Sequence, residues 1–292
     1  MSSSTLTSPA DEGRAIVEQL GGHWSRNGGV CRCPAHDDRT PSLSVRVGRS
    51  RLLLHCFAGC NATDILRALQ ARRLLGVRAA VADDPAVAAP EPNVLAKSAT
   101  RIWSDARIIA QTPAERYLRS RAITLASPEL RYHPRTPHGP KPFTQFRPAL
   151  IAAVRDDAGL IGIHRTFLDR RNGRLANLPA PKLGLGRFGS GAVRLWPAAP
   201  RLGLAEGLET ALSATMLFDV PCWATLGTER FGLVKLPAIV RELVLFLDND
   251  KGGRRAEALA RKAFRDSVSI ETRYPRVAGF DWNDVLQRRR RT

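Results

Sequence analysis

The pattern of apolar and polar residues predicts a helix, a hairpin and a second helix in the first part of the chain. Ser8-Pro9-Ala10-Asp11 is typical of a helix start, with a capping serine and a proline in the first turn. The runs Ser42–Val47 and Arg51–His55 alternate with period two and are joined by Gly48-Arg49-Ser50, which predicts a β-hairpin. Asn61-Ala62-Thr63-Asp64 then begins the second helix.

The pattern of apolar and polar residues changes twice further along the chain. Thr112-Pro113-Ala114-Glu115 begins a helix, and short strands separated by glycine and proline follow between residues 129 and 200. Strands are predicted there at Ala149–Val154, Leu160–Leu168 and Ala192–Leu195. From residue 201 strands alternate with helices, which predicts a parallel sheet with helical crossovers. Its strands are Leu202–Ala205, Cys222–Leu226, Leu243–Leu247 and Val268–Arg273, with helices over 207–217, 254–266 and from about 282.

These patterns predict an α/β chain with three folded parts. Residues 1–76 form a small cysteine-rich domain, and residues 77–97, rich in Ala, Pro and Asp, form a linker. Residues 98–200 form a basic middle domain of mixed α+β structure. Residues 201–292 form a Rossmann-like domain with a mainly parallel sheet.

Charge narrows the class of partner. The 292 residues include 45 basic and 27 acidic side chains, a net charge of +18, and only six of the basic residues are Lys. An excess of guanidinium groups favours a phosphate-bearing polyanion. No apolar run approaches the ~20 residues that span a bilayer. The first dozen residues lack the apolar stretch of a signal peptide, so a cytoplasmic protein is expected.

Four of the five cysteines lie within thirty residues, which in a cytoplasmic chain indicates metal binding. Cys33 and His36 form one short chelating pair, and Cys56 and Cys60 form another after the predicted hairpin. Two such pairs supply the four ligands of a closed, structural zinc site. Two alternatives remain open, in which Cys31 replaces Cys33 or His55 replaces His36.

Basic residues surround this predicted zinc site. Arg39, Arg46 and Arg51 lie on or beside the hairpin, where they would suit contact with single-stranded DNA. In the middle domain, Arg165 and Lys182 are further candidates for contacts with a template or a triphosphate.

Acidic residues follow two strands of the predicted parallel sheet. Glu206 follows Leu202–Ala205, and Asp248 and Asp250 follow Leu243–Leu247. The carboxyl ends of parallel strands meet at one edge, where such sheets bind ligands. Carboxylates gathered there favour Mg²⁺ or Mn²⁺. Asp281 and Asp284, which follow the last strand, could supply one more ligand.

The same residues resemble a known family. Glu206-Gly207 followed by Asp248-Asn249-Asp250 is similar to the Toprim domain of bacterial-type primases, topoisomerases and some nucleases, and the segments EGLETALSA and DWNDVL resemble its phage and plasmid versions. The segment CPAHDDRTPSLSV with the later HCFAGC resembles the zinc-binding domain of bacterial and phage primases.

The resemblance implies a zinc site of Cys33, His36, Cys56 and Cys60. It implies Glu206 as an acid/base or metal-proximal carboxylate, Asp248 and Asp250 as ligands of the divalent metal, and Asp281 or Asp284 as supporting acids. It also implies a Mg-dependent nucleotidyltransferase that makes RNA primers from nucleoside triphosphates on single-stranded DNA of a phage, plasmid or integrated mobile element. No GxxxxGK[ST] phosphate loop is present, so unwinding is expected from a separate replicative helicase.

Two other functions stay open. The same carboxylates could activate water in a metal-dependent nuclease. Alternatively, the chain could bind single-stranded DNA without catalysis, in which case binding would be strongly salt-dependent and indifferent to loss of Asp248.

Overall fold

The chain divides into two compact units, Met1–Ala89 and Pro90–Thr292. The computed structural model describes residues 8–25, 28–38, 41–48, 51–56, 60, 62–75, 92–139, 144–178 and 180–290. Each unit has a hydrophobic core of its own.

The first unit is a four-stranded antiparallel sheet between two helices in sequence. Its elements are α1 (Pro9–Gln19), β1 (His23–Ser25), β2 (Gly28–Cys31), β3 (Leu43–Val47), β4 (Leu52–Cys56) and α2 (Ala62–Ala71). The strands pair in the order β1-β2-β3-β4, and β3 and β4 are the predicted hairpin.

Local chemistry explains both the helix start and the packing of this unit. The Ser8 hydroxyl accepts a hydrogen bond from the backbone N–H of Asp11 at 3.2 Å, as the capping pattern predicts. Ile16 and Val17 on α1 are fully buried and pack in one cluster with Leu43 and Val45 of β3. The unit is therefore held by a small core that the metal ligands border.

The second unit begins with helices and a five-stranded antiparallel sheet. Its first elements are α3 (Pro92–Asp105), β5 (Arg107–Ile108), α4 (Pro113–Ser120), β6 (Leu130–His138), β7 (Gln145–Asp156), β8 (Gly159–Phe167) and β9 (Lys182–Gly186). The strands pair in sequence order, β5-β6-β7-β8-β9. The Thr112 side chain caps α4 by accepting from the N–H of Ala114.

A four-stranded parallel sheet follows and confirms the predicted α/β class. Its elements are β10 (Arg201–Ala205), α5 (Leu208–Phe218), β11 (Cys222–Ala224), β12 (Glu242–Phe246), α6 (Lys251–Phe264), β13 (Ser269–Arg273) and α7 (Trp282–Arg289), with a 3-10 turn over Thr228–Arg230. The order is β11-β10-β12-β13, and every pair is parallel. The central strands are apolar on both faces because helices cover both.

One core joins the antiparallel sheet to the parallel one. Leu150 and Ala152 of β7 belong to the same buried cluster as Ala211 and Leu212 of α5 and Leu286 of α7. The opposite face of β7 packs with α3 in a separate cluster. The middle region and the C-terminal region are thus one body, whose shared core is formed by α5 and β7.

The structure differs from the sequence interpretation in the linker and in the strand predicted at Ala192–Leu195. Helix α3 begins at Pro92, so residues 92–97, which the composition assigns to the linker, are helical; residues 77–91 lie outside the described part. Within the predicted strand Ala192–Leu195, Ala192 and Val193 make only isolated bridges, to Arg155 and Ala224. This segment passes from one sheet to the other, so it cannot pair along its length with either.

Candidate functional site

A Cys3His group lies where the two chelating pairs of the first unit meet. One ligand atom from each of Cys33, His36, Cys56 and Cys60 lies within 4.8 Å of all the others. His36 Nδ1 is 3.2 Å from Cys60 Sγ and 4.0 Å from Cys56 Sγ. Ligands arranged tetrahedrally around Zn²⁺ are about 3.3–3.8 Å apart, so this donor set fits the ion.

Asp38 supports the group from behind. Its Oδ1 lies 3.7 Å from His36 Nε2, the ring nitrogen that faces away from the sulfur atoms. Its Oδ2 accepts hydrogen bonds from the Cys33 N–H at 2.6 Å and the Ser42 hydroxyl at 2.6 Å. A carboxylate in this position orients the imidazole and the first chelating pair toward a metal.

The geometry decides between the ligand alternatives. Cys31 is fully buried, and its thiol points to the carbonyl of Leu43 at 3.7 Å, outside the group. His55 is exposed on β4, while Cys56 next to it faces inward. Side chains alternate along a strand, so only one of these two neighbours can reach the group.

The basic residues of the hairpin differ in what the structure shows of them. Arg46 is exposed on β3, and Arg51 is half-buried just before β4. Arg39 lies outside the described residues. Ser44, which period two places beside Arg46 on an outward face, is buried, whereas Arg46 itself is exposed. Contact with nucleic acid by Arg46 and Arg51 stays a prediction.

Glu206 begins the acidic edge, a name used here for Glu206, Asp248 and Asp250. It directly follows β10, whose last pair with β12 is Ala205 to Phe246. The carbonyl of Glu206 accepts the N–H of Leu226 at 2.8 Å, and its Oε2 accepts the Thr228 hydroxyl at 2.8 Å. Leu226 has a φ of 65°, a costly value for leucine, so the turn that presents Thr228 is strained.

Asp248 and Asp250 follow the neighbouring strand β12. The Asp250 carboxylate caps α6 by accepting the N–H of Gly253 at 2.8 Å, and the Asp250 N–H donates to the Asp248 carbonyl. A Cβ at Gly253 would lie 2.0 Å from that carbonyl oxygen, so only glycine fits there. Register and strand ends bring the three carboxylates to one edge, and hard oxygen donors at such an edge fit Mg²⁺ or Mn²⁺. Among the described residues, however, only the Cys3His group has three or more ligand atoms in close contact.

Asp281 and Asp284 form a capping box at the start of α7. The Asp281 side chain accepts the N–H of Asp284 at 2.7 Å, and the Asp284 side chain accepts the N–H of Asp281 at 3.2 Å. Burial raises the pKa of the Asp281 carboxyl above its ordinary value. Both carboxylates have a structural task at this helix, and a metal-supporting role for either stays a prediction.

Asn249 attaches the segment before α7 to the acidic edge. Its backbone N–H donates to the Phe280 carbonyl and its side-chain amide donates to the Pro275 carbonyl, both at 2.9 Å. The Asn249 carbonyl in turn accepts the N–H of Gly279. The residue between the two aspartates therefore faces away from them and anchors the neighbouring loop.

Lys182 forms an ion pair that the sequence interpretation did not include. Its Nζ is 2.8 Å from Oε1 of Glu209, and the Tyr117 hydroxyl donates to the same carboxylate at 2.5 Å. Glu209 is 5% exposed. Burial raises the pKa of Glu209, but Lys182 and Tyr117 lower it by more. The resulting pKa is about 2, so the carboxylate is ionised.

Arg165 is placed differently from the prediction of a template contact. The residue is 8% exposed. Its guanidinium donates to the carbonyls of Pro137 at 2.8 Å, Gly184 at 2.9 Å and Leu183 at 3.4 Å. Arg165 therefore joins β6, β8 and β9 inside the antiparallel sheet, and its charge is directed to backbone oxygens. In the sequence, an arginine in a strand of small and apolar residues looks the same whether its side chain is buried or faces solvent.

The residues missed at the sequence level left weak signals. Glu209 stands in a helix of Leu, Ala and Thr, where an acidic residue on a buried helix requires a cation. Thr228 and Asp38 have no distinguishing sequence pattern. Thr228 contacts Glu206, which is 22 residues away in sequence, and Asp38 contacts Cys33 and Ser42 through a local turn.

Two family matches cover most of the second unit. Residues 94–195 match a family described as a domain of unknown function, DUF7146. Residues 201–291 match the Toprim domain, which confirms the resemblance of the C-terminal region. No curated protein matches the chain.

Solved primase structures are similar to this chain at low identity. A DNA primase domain from Pseudomonas aeruginosa is 15% identical, with a TM-score of 0.48, over 66% of this chain and 74% of that one. The zinc-binding and RNA polymerase domains of the Aquifex aeolicus primase are 17% identical, with a TM-score of 0.47, over 98% and 85%. The DnaG catalytic core is 16% identical, with a TM-score of 0.47, over 68% and 75%.

No helix in the described part of the chain has the length and apolarity needed to cross a membrane.

The acidic edge, its parallel sheet and the family match agree with one another. Residues 201–291, which match the Toprim domain, share one core with residues 94–195, which match DUF7146, and both follow a Cys3His group in sequence.

Proposed function

We propose that this protein is a DNA primase of the DnaG type, which makes short RNA primers on single-stranded DNA. The observation that carries the proposal is the acidic edge: Glu206, Asp248 and Asp250 follow two adjacent parallel strands of a Toprim domain. A Cys3His unit precedes that domain in the same chain. The formal charge of +18 agrees with a polyanionic template.

In this proposal the acidic edge would hold Mg²⁺ or Mn²⁺, with Asp281 or Asp284 as a supporting acid. The metal would offset charge on the triphosphate. The 3′-hydroxyl oxygen bonds to the α-phosphorus, the bond to pyrophosphate breaks, and pyrophosphate leaves. Glu206 would accept the hydroxyl proton, and the Thr228 hydroxyl donates a hydrogen bond to one of its oxygens. Lys182 would provide positive charge for the triphosphate.

The first unit would guide the template. Zinc held by Cys33, His36, Cys56 and Cys60 would fix the hairpin, so that Arg46 and Arg51, with Arg39, contact the phosphates of single-stranded DNA. Residues 98–200 and 201–292 would supply the catalytic part. We further propose that the protein acts in the cytoplasm, in replication of a phage, plasmid or integrated element, with a separate helicase.

Template-directed synthesis tests this function. The full chain, single-stranded DNA, Mg²⁺ and either ribonucleoside or deoxyribonucleoside triphosphates should yield labelled oligonucleotides, with ribonucleotides preferred. Asp248→Ala should reduce synthesis at least about a hundredfold, since it removes a metal ligand. Asp266→Ala, a substitution of an aspartate with a 90% exposed side chain in the same domain, is the matched control and should leave the rate unchanged.

Three results would contradict the proposal. Absence of product from the wild type would reject it, as would equal synthesis by Asp248→Ala. Mg²⁺-dependent shortening of the labelled DNA would instead indicate a nuclease. Tight, salt-dependent DNA binding without either reaction, unchanged in Asp248→Ala, would indicate a non-catalytic DNA-binding protein.

A further inference from the structure

A buried carboxylate connects three elements of the second unit. Glu209 lies in the first turn of α5, Lys182 begins β9, and Tyr117 lies on α4. The side chain of Glu209 is 6% exposed and accepts from both partners, at 2.8 Å from Lys182 Nζ and 2.5 Å from the Tyr117 hydroxyl. A buried acid with two such partners is held in one orientation.

The orientation brings the lysine toward the turn that follows Glu206. Glu209 is three residues after Glu206, at the N-terminal end of α5. A Cβ built on Gly207 would lie 4.0 Å from Glu209 Oε2, so the carboxylate turns back toward the Glu206-Gly207 turn. The ammonium bound to Glu209 is therefore held beside the start of the helix that follows Glu206.

The two partners differ in exposure. The Lys182 side chain is 36% exposed, whereas that of Glu209 is almost entirely covered. An ammonium group has three N–H donors, and the contact with Glu209 engages one direction only. The remaining donors are available to an anion that approaches from solvent.

We propose that Glu209 is a positioning residue which, together with Tyr117, fixes the Lys182 ammonium so that it binds the phosphates of the incoming nucleoside triphosphate. This inference rests on the proposed function, because it names how that site orients its substrate. Without the pair, Lys182 would retain its charge but rotate freely on a four-carbon chain. A flexible ammonium loses side-chain entropy on binding that a fixed one has already lost.

A purely structural role for Glu209 is the competing explanation, and kinetics distinguish the two. If the pair only joins β9 to α5, Glu209→Gln should reduce the amount of folded protein and change kcat and KM together or not at all. If the pair positions Lys182, Glu209→Gln should raise KM for nucleotide about tenfold with a smaller change in kcat.

The experiment compares four forms of the full chain: Glu209→Gln, Lys182→Met, the double variant, and Glu257→Gln. Glu257 is the matched control, since it also accepts from a tyrosine, Tyr274 at 2.7 Å, and pairs with a cation, but lies on α6 and takes Arg261 instead of Lys182 as that cation. Binding of ATP with Mg²⁺ is measured by equilibrium titration, and primer synthesis is measured in parallel. Circular dichroism verifies that each variant is folded.

We expect Glu209→Gln and Lys182→Met each to weaken ATP binding about tenfold, and the double variant to bind no more weakly than Lys182→Met, because both act through one ammonium. Glu257→Gln should bind like the wild type. Additive losses, unchanged binding in Glu209→Gln, or no ATP binding by the wild type would overturn the inference. ATP binding with this pattern but without synthesis would reject the primase proposal and leave the positioning role intact.

Discussion

At the scale of single residues, surroundings decide what an arginine does. Arg46 is exposed on a hairpin strand, while Arg165 is buried and donates to three backbone carbonyls. Both are basic residues in strands, and the sequence assigns both to nucleic acid. Only contacts across β6, β8 and β9 show that the guanidinium of Arg165 is part of the sheet.

Arg165→Ala should therefore destabilise the second unit by about 3 kcal/mol, because it removes the buried guanidinium that donates to three partly buried backbone carbonyls. Arg165→Lys should not restore stability, since one nitrogen cannot replace three donors in different directions. Urea denaturation measures both. Arg135→Ala, at an exposed position on β6, is the control and should change the unfolding free energy little. A stable Arg165→Ala that binds DNA weakly would show that the predicted template contact was correct.

The Glu209 carboxylate should make folding stability depend on pH. Its pKa is about 2 in the folded chain against an ordinary value of 4.5, so its contribution is complete above pH ~5 and is lost as the pH falls toward 2. We expect the wild type to exceed Glu209→Gln in unfolding free energy at pH 7, and this advantage to shrink by about 3 kcal/mol as the pH falls to 2. Denaturation at a series of pH values measures it. A difference that stays constant with pH would contradict the assignment.

At the scale of elements, the hairpin and the metal group define each other. The pairing of β3 with β4 sets Leu43 opposite Cys56, which carries the second chelating pair back to the first. Asp38 then ties Cys33, His36 and Ser42 together. A core this small depends on such cross-links, because few apolar side chains are buried between α1 and β3.

Metal removal should unfold the first unit. The full chain should contain about one zinc ion, and Cys56→Ser should retain less than about a tenth of it, since loss of one thiolate opens a four-ligand site. His55→Ala, one residue away and exposed, is the matched control and should keep the metal. Elemental analysis and amide hydrogen exchange over β3 and β4 are the measurements. Full zinc content in Cys56→Ser would reject this ligand set.

At the scale of the whole molecule, the middle region and the Toprim domain fold around one core. Two separate families match residues 94–195 and 201–291, yet β7 and α5 bury their apolar faces in the same cluster. The ion pair of Lys182 with Glu209 crosses the same boundary. A division by family therefore does not coincide with a division by packing.

A cavity in α5 should consequently weaken the antiparallel sheet as well. Leu212→Ala, at a fully buried position, should cost about 3 kcal/mol and lower hydrogen-exchange protection in β7 together with β10. Leu233→Ala, where the side chain is 55% exposed, serves as the control and should leave both unchanged. Loss of protection confined to the parallel sheet would show that the two regions unfold independently.

Much of this architecture follows from sequence pattern. Ser8 and Thr112 start helices as their capping patterns predict, and the alternation after residue 201 corresponds to the parallel sheet. The prolines in β6 concealed that strand, because proline lacks a ladder donor and the register shifts between His133 and Thr136. Local pattern therefore predicts a helix or strand well where a cap or a regular apolar pattern marks it, and poorly where proline interrupts the strand.

The amino-acid sequence alone identifies the residues that can carry chemistry: a Cys3His ligand set, acids after two strands, and a basic excess. They can be identified because ligand type, strand ends and charge are local properties of the chain. Tertiary packing is needed to show that Arg165 is buried in the sheet, that Asp281 and Asp284 cap α7, and that Glu209 binds Lys182. Those outcomes depend on which distant groups are packed nearby, since a buried charge takes its partner from across the fold.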